Sequence, residues 1–267
     1  MPDVYTHGHH DSVLRSHRWR TAENSAAYLL DHLRPGQRLL DVGCGPGTLT
    51  VDLARRLAPG GEVVGVDVAD DVVAEARRHA GAEKVAVDFR AGDFRELGLE
   101  ERSFDVAHAH QVLQHLQDPV GALVEMGRLV RPGGLVAVRD GDYAAFTWAP
   151  ANPGLDRWLD VYQQVARHNG AEPDAGRHLL AWARAAGFAD VTYTTSTWTF
   201  ATPDDRAWWS DLWAERSVAS SFAEQAVRYG IVERAELDEI AAAWRRWGAE
   251  PDAVLVILHG EVVARVA

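Results

Sequence analysis

The chain reads as an α/β protein, doubly wound around a mostly parallel sheet of seven strands, with helical insertions. Three observations predict this. Between Leu39 and Arg139, short apolar or β-branched runs alternate with stretches whose apolar residues recur every three or four positions, as βαβ units require. After Asp142 the alternation is interrupted twice by helical stretches and then resumes. A length of 267 residues, 47% hydrophobic and 25% charged, suits one large domain carrying insertions.

Five strands are expected at RLLDVG, EVVGVDV, AVDFRAGD, FDVAHAH and LVAVRDGD, separated by the amphipathic helices LTVDLARRLA, DDVVAEARRHA and DPVGALVEMGRLV. Arg34-Pro35-Gly36 and Pro132-Gly133-Gly134 punctuate the turns before the first and fifth strands. Pro150, Pro153 and Gly154 then mark a loop, and LDRWLDVYQQVARHNG reads as a helix inserted at about 150–172. The helix HLLAWARAAG and the strand VTYTTSTW resume the pattern, a helical stretch fills about 202–250, and AVLVILHG closes the sheet. Nine of the ten tryptophans lie beyond Thr147. Insertions placed at the carboxyl ends of the strands would wall a ligand pocket there. Trp209 and Trp213, and Trp244 and Trp247, are spaced to pack the inserted helices on the core or to line that pocket.

Composition narrows the function. No run of about 18 apolar residues occurs, and the N-terminus is too polar for a secretion signal, so a soluble, cytoplasmic protein without a membrane partner is expected. The single cysteine, Cys44, excludes an internal disulfide and a cysteine-built zinc site. A net charge of −12 opposes a nucleic-acid partner. Oligomeric state leaves no mark in the sequence.

The stretch LLDVGCGPGTLT, 39–50, carries the first chemical signal. Glycines at 43, 45 and 47 allow a sharp turn and close approach to a ligand, at the start of a helix whose free N–H groups attract an anion. A dinucleotide fingerprint needs its third glycine at 48, where this chain has Thr48. Asp41, just before the loop, would repel a pyrophosphate and favour a cation, so an ammonium-bearing ligand suits the loop better than NAD.

This stretch resembles the first motif of class I S-adenosylmethionine-dependent methyltransferases. VVGVDVADDVV, AGDF, FDVAHAHQVLQHLQDP and LVRPGGLVAV follow it as the further motifs in the family's order, and the resemblance covers about 34–140. It implies a Rossmann-like core, the cofactor S-adenosyl-L-methionine, and a small-molecule methyl acceptor, by likeness to methyltransferases of quinone biosynthesis. It also implies site residues: Asp41, Gly43, Cys44 and Gly45 around the methionine moiety, Asp67 on the ribose, Val68 beside the adenine, and Gly92, Asp93 and Phe94 at the adenine. The opening YTHGHHDSVLRSHRWRTAENSAAYLL resembles that group's helical lid. By this likeness residues 1–33 form a lid on a core of 34–267, with Tyr5 and Arg20 touching the cofactor. Asp67 could instead cap the helix that follows it.

His108 and His110 share one strand face near the carboxyl end, so His110 and Gln111 are expected to reach the cofactor's methionine end or the acceptor. Transfer from a sulfonium needs positioning and water exclusion more than a metal. A phenol, amine or carbon acid also needs a base, for which His110 is the candidate, a cofactor contact being the alternative. His7, His9 and His10 lack a carboxylate at ligand spacing, and no metal is expected. The expected activity is thus methyl transfer by direct displacement to an O, N or C atom of a small organic acceptor. The alternatives are a non-catalytic cofactor-binding protein of this fold and a nicotinamide-dependent dehydrogenase.

Overall fold

Three short helices, α1 (Asp11–Arg18), α2 (Ala22–Ser25) and α3 (Ala27–Leu30), lead into the first strand, β1 (Arg38–Val42). The structure is a computed structural model that describes residues 3–8 and 10–267. Thr21 caps α2 by accepting from the Asn24 N–H while the Asn24 side chain accepts from the Thr21 N–H, a closed capping box. The expected βαβ alternation follows: α4 (Thr48–Leu57), β2 (Glu62–Asp67), α5 (Asp70–Glu83), β3 (Asp88–Ala91), β4 (Phe104–His110), α6 (Pro119–Leu129) and β5 (Val130–Gly141). Asp118 caps α6 ahead of Pro119, whose missing N–H is no loss in a first helical turn.

Beyond β5 come β6 (Thr147–Ala149), α7 (Pro153–His168), α8 (Leu179–Ala185), β7 (Asp190–Phe200), α9 (Pro203–Ala219), α10 (Ser221–Arg228), α11 (Arg234–Ala249) and β8 (Val254–Arg265). Pro153, read from the sequence as a loop marker, opens α7 behind the cap Asn152, and Pro203 opens α9 behind the cap Thr202.

The sheet has eight strands where seven were expected, in the order β3-β2-β1-β4-β5-β8-β6, with β7 on the other edge of β8. The extra strand is only three residues long. Leu255 and Val256 pair with both β6 and β7, and 259–265 pair with both β5 and β7, so β6 prolongs the β5 side of β8. β1 through β5 run parallel, and β8 runs antiparallel to its three partners. The turn Pro132-Gly133-Gly134 lies inside β5, absorbed by a register shift against β4 between Phe104 and Val106.

Burial follows the pleat. Leu40 and Val42 join the apolar cluster on one sheet face with Ala107, Ala109 and Leu123, and Leu39 joins the other with Leu29 and Leu53. The inserted helices build a third cluster with β7 and β8, in which Trp158, Trp213, Trp244, Trp247, Tyr162 and Phe222 are all buried. Trp158 stands edge-on to Trp213 and Trp244, with ring centres 4.5 and 4.9 Å apart. Among the described residues no helix is long and apolar enough to cross a membrane.

Candidate active site

The strand order reverses between β1 and β4, and in open α/β sheets ligands bind at the carboxyl ends beside such a point. A cavity of about 960 Å³ lies there, lined by the loop after β1, the ends of β2 and β4, the N-terminal segment and α9. Two glycines of the loop divide the work. A Cβ on Gly47 would come within 2.9 Å of both Ala76 and Phe89, so Gly47 serves the packing of α5 and β3 against the loop. Gly45, at φ +55°, would meet nothing nearer than the His17 ring at 3.7 Å, and its bare face is left for a ligand.

Asp67 ends β2 with its carboxylate held in place: one oxygen accepts from the Gly45 N–H at 3.0 Å, the other from the Ala69 N–H at 3.1 Å. Helix α5 has no side-chain cap, so the alternative role for Asp67 as its N-cap is not what the fold uses. The carboxylate lines the cavity, where its two oxygens face a ligand's hydroxyls as acceptors. Val68, 68% exposed over the protein as a whole, Gly92 and buried Phe94 line the same end. Asp93 lines it too, but the Arg95 guanidinium grips its carboxylate at 2.6 to 3.0 Å and holds its pKa below the usual range.

Gln111 follows β4 at φ +55°, an unusual backbone for a side chain with a Cβ, fixed by its N–H donating to the Arg139 carbonyl at 2.7 Å. Its amide oxygen accepts from the Arg20 guanidinium at 2.5 Å, and its amide nitrogen lies 3.0 Å from His259 Nε2. Arg20 therefore reaches from the N-terminal segment across to the end of β4. Burial lowers its pKa to about 10, which leaves it charged at neutral pH. The Tyr5 hydroxyl approaches His17 Nε2 at 3.4 Å in the same wall.

His110 is 3% exposed, lines the cavity, and has both ring nitrogens without a partner among the described residues. Burial lowers its pKa well below the ordinary value, and the nearby Arg20 and Arg139 charges add to this. A neutral imidazole with a free lone pair is a proton acceptor that touches the cavity.

Two expected residues lie behind the loop rather than on the main cavity. The oxygens of Asp41 accept from Thr50 Oγ1 at 2.6 Å and from His108 Nδ1 at 2.7 Å, and it lines a small side pocket that shares Arg20, Gly43, Gly45 and His110 with the cavity. Cys44 lines that side pocket as well, where burial pushes its thiol pKa well up. Of the clustered N-terminal histidines, His10 caps α1, His7 contacts the Tyr162 hydroxyl at 3.0 Å, and His9 lies outside the described residues. Among the described residues no group of three or more His, Cys, Asp or Glu is placed to hold a metal.

The far end of the cavity is aromatic: Tyr143, Phe146, Trp198, Trp209 and Trp213 line it with His7 and His115. Tyr143 and Arg216 went unnoticed in the sequence, where nothing local distinguishes a tyrosine after β5 or one arginine among many on a helix. Trp209 and Trp213 do both jobs foreseen for them, packing and lining, whereas Trp244 and Trp247 only pack.

A doubly wound sheet, a strand-end carboxylate beside an open glycine, and an aromatic chamber in the same cavity suit a nucleoside cofactor with a second small molecule beside it. The chain belongs to the methyltransferase-domain family, whose sequence model matches residues 33–186. It is 33% identical over 268 residues to an uncharacterized methyltransferase of Schizosaccharomyces pombe, covering 97% of this chain and 95% of that protein. It is 37% identical to a ubiquinone biosynthesis O-methyltransferase of Hahella chejuensis over 131 residues, 44% of this chain and 54% of that one. Its fold superposes at a TM-score of 0.56 and 19% identity on a phosphoethanolamine N-methyltransferase of Haemonchus contortus, solved with S-adenosylhomocysteine, over 90% of this chain and 51% of that one. The protein is an enzyme dependent on S-adenosylmethionine. The residues fit that cofactor: Gly45 leaves room at the loop, Asp67 offers oxygens to a ribose, and Phe94 offers an apolar face to a base.

Proposed function

We propose that this methyltransferase acts by direct displacement on an O, N or C atom of a small organic acceptor, aromatic or of secondary metabolism. The observation that carries the reading is the continuity of one cavity from Asp67 and Phe94 at one end to Trp198 and Trp213 at the other. At about 960 Å³ it stands at the upper end of the range for small-molecule sites, enough for a cofactor and a second small molecule side by side. The chain's net charge of −12 and the aromatic walls speak for such an acceptor over nucleic acid. Relatives named for ubiquinone biosynthesis support it as well.

In this reading Asp67 accepts from the ribose hydroxyls, and Val68, Gly92, Asp93 and Phe94 enclose the adenine. Gly43, Gly45, Gln111, Arg20 and Tyr5 surround the methionine moiety, with the Arg20 charge opposite its carboxylate. Bound there, the cofactor supplies a methyl group already electrophilic on a sulfonium. The chain holds the acceptor in line and excludes water. His110, neutral and unpartnered at the wall, takes the acceptor's proton where one must leave.

The test is incubation with methyl-labelled cofactor and a panel of hydroxylated aromatic compounds, followed by mass analysis of small-molecule and macromolecular fractions. Label in the small molecules is the expected result. Label confined to protein or RNA contradicts the proposal.

A further inference from the structure

Arg216 on α9 is 4% exposed and lines the aromatic end of the cavity. Its guanidinium lies over the Trp213 ring at 4.4 Å, and its Nη2 donates to the Ser12 carbonyl at 2.8 Å and to Ser16 Oγ at 3.0 Å. Its Nε has no partner among the described residues. Arg139, equally buried, is paired with Glu261 at 3.2 Å, whereas no carboxylate among the described residues lies within 4 Å of Arg216. A buried charge without a counter-charge is unfavourable, so a cavity that keeps one is suited to a ligand that brings the opposite sign.

The surroundings point the same way. The cavity's acids, Asp3, Asp67, Asp93, Glu96 and Asp118, belong to the segments around the cofactor end or the mouth, and none lies on α9. Burial raises the phenol pKa values of Tyr143 and Tyr162, so these neighbours stay neutral. The indole N–H groups of Trp209 and Trp213, which also line the cavity, have no acceptor among the described residues. Donors without partners among the described residues thus gather at the aromatic end, the unpartnered acceptor Gln114 Oε1 is uncharged, and the other arginines on the wall are engaged, Arg20 with Gln111 and Arg95 with Asp93.

Building on the small-acceptor reading, we propose that the methyl acceptor carries an anionic group, a carboxylate or phosphate, that pairs with Arg216. A guanidinium fork suits both groups. The anion would fix the acceptor at the aromatic end and leave its nucleophilic atom toward the glycine loop.

The experiment uses the full chain saturated with S-adenosylhomocysteine and titrates 4-hydroxybenzyl alcohol, 4-hydroxybenzoate and 4-hydroxyphenyl phosphate by calorimetry. Either charged probe is expected to bind about tenfold or more tighter than the neutral one, and the better of the two identifies the anion. In R216Q that preference disappears while S-adenosylhomocysteine affinity holds, and in R216K part of it returns. R216Q is also expected to melt no lower than the wild type without ligand. If R216Q does not fold, R216K with a weakened preference carries the same point. Equal binding of neutral and charged probes overturns the anion while leaving the small-acceptor reading in place. A preference that survives in R216Q, or a cofactor affinity that falls with it, overturns the assignment. Failure of all three probes to bind the loaded protein sinks both readings.

Discussion

Asp41 on β1 and His108 on β4 are register partners, and a hydrogen bond of 2.7 Å joins their side chains in the core. Both are almost fully buried, and Thr50 takes the second carboxylate oxygen. The acidic residue of the first motif thus ties the two strands that flank the reversal of the sheet.

Replacing Asp41 with Ala strands the His108 ring and the Thr50 hydroxyl without acceptors, and should lower stability by about 3 kcal/mol. Asp41→Asn keeps one oxygen and should cost less, with S-adenosylhomocysteine affinity within about threefold of wild type, too small a change for a lost charged contact. Urea denaturation and calorimetry measure the two. An Asp41→Asn protein of unchanged stability with sharply weakened cofactor binding would restore the direct role at the ammonium.

Asp67→Ala removes the oxygens offered to the ribose and should weaken S-adenosylhomocysteine by about 1 to 3 kcal/mol, roughly tenfold to over a hundredfold. Titration calorimetry reads this directly. Affinity equal to wild type would remove Asp67 from the site.

His110→Ala should lower the turnover rate about a hundredfold with little change in cofactor affinity, if it takes the acceptor's proton. Because burial lowers its pKa well below 6.5, the rate should show no histidine limb between pH 6.5 and 8. Equal losses of rate and affinity would recast it as a cofactor contact.

The protein should weaken steeply in mild acid. Burial lowers the pKa values of His7, His17, His110, His115 and His259, for His115 to about 3. Unfolded, each titrates near 6.5, so below that pH the unfolded chain binds more protons and the stability these groups contribute is lost as pH falls. Asp140 acts oppositely: burial raises it to about 7, and its contribution is lost as pH rises from about 4 to 7. With five imidazoles against one carboxyl, unfolding free energy should drop by at least about 2 kcal/mol from pH 6.5 to 5. Urea midpoints at the two values check this, and a midpoint that stays level or rises in acid contradicts it.

What the sequence showed follows from what is local. The five parallel strands, the loop glycines and the strand-end places of Asp67 and His110 were legible because periodicity and turn residues set them without knowledge of the rest of the chain, whereas Phe94 was singled out only by the family resemblance. The partners of the Asp41 carboxylate could not be read, because they are Thr50, nine residues on, and His108, 67 residues on. His259 meets Gln111 across 148 residues, and Arg216 meets Ser12 across 204, contacts that no window of sequence contains. The eighth strand escaped because three residues, Thr147–Ala149, carry too little pattern to be read before their partner on β8 is known.

The central claim is that cofactor and small acceptor share one cavity. A crystal structure with S-adenosylhomocysteine tests it most directly. The account predicts the ribose on Asp67, the base against Phe94, the amino-acid end at Gly45 and Arg20, and the sulfur facing a closed chamber walled by His110, Trp198 and Trp213. A sulfur facing solvent or an open basic groove would contradict it.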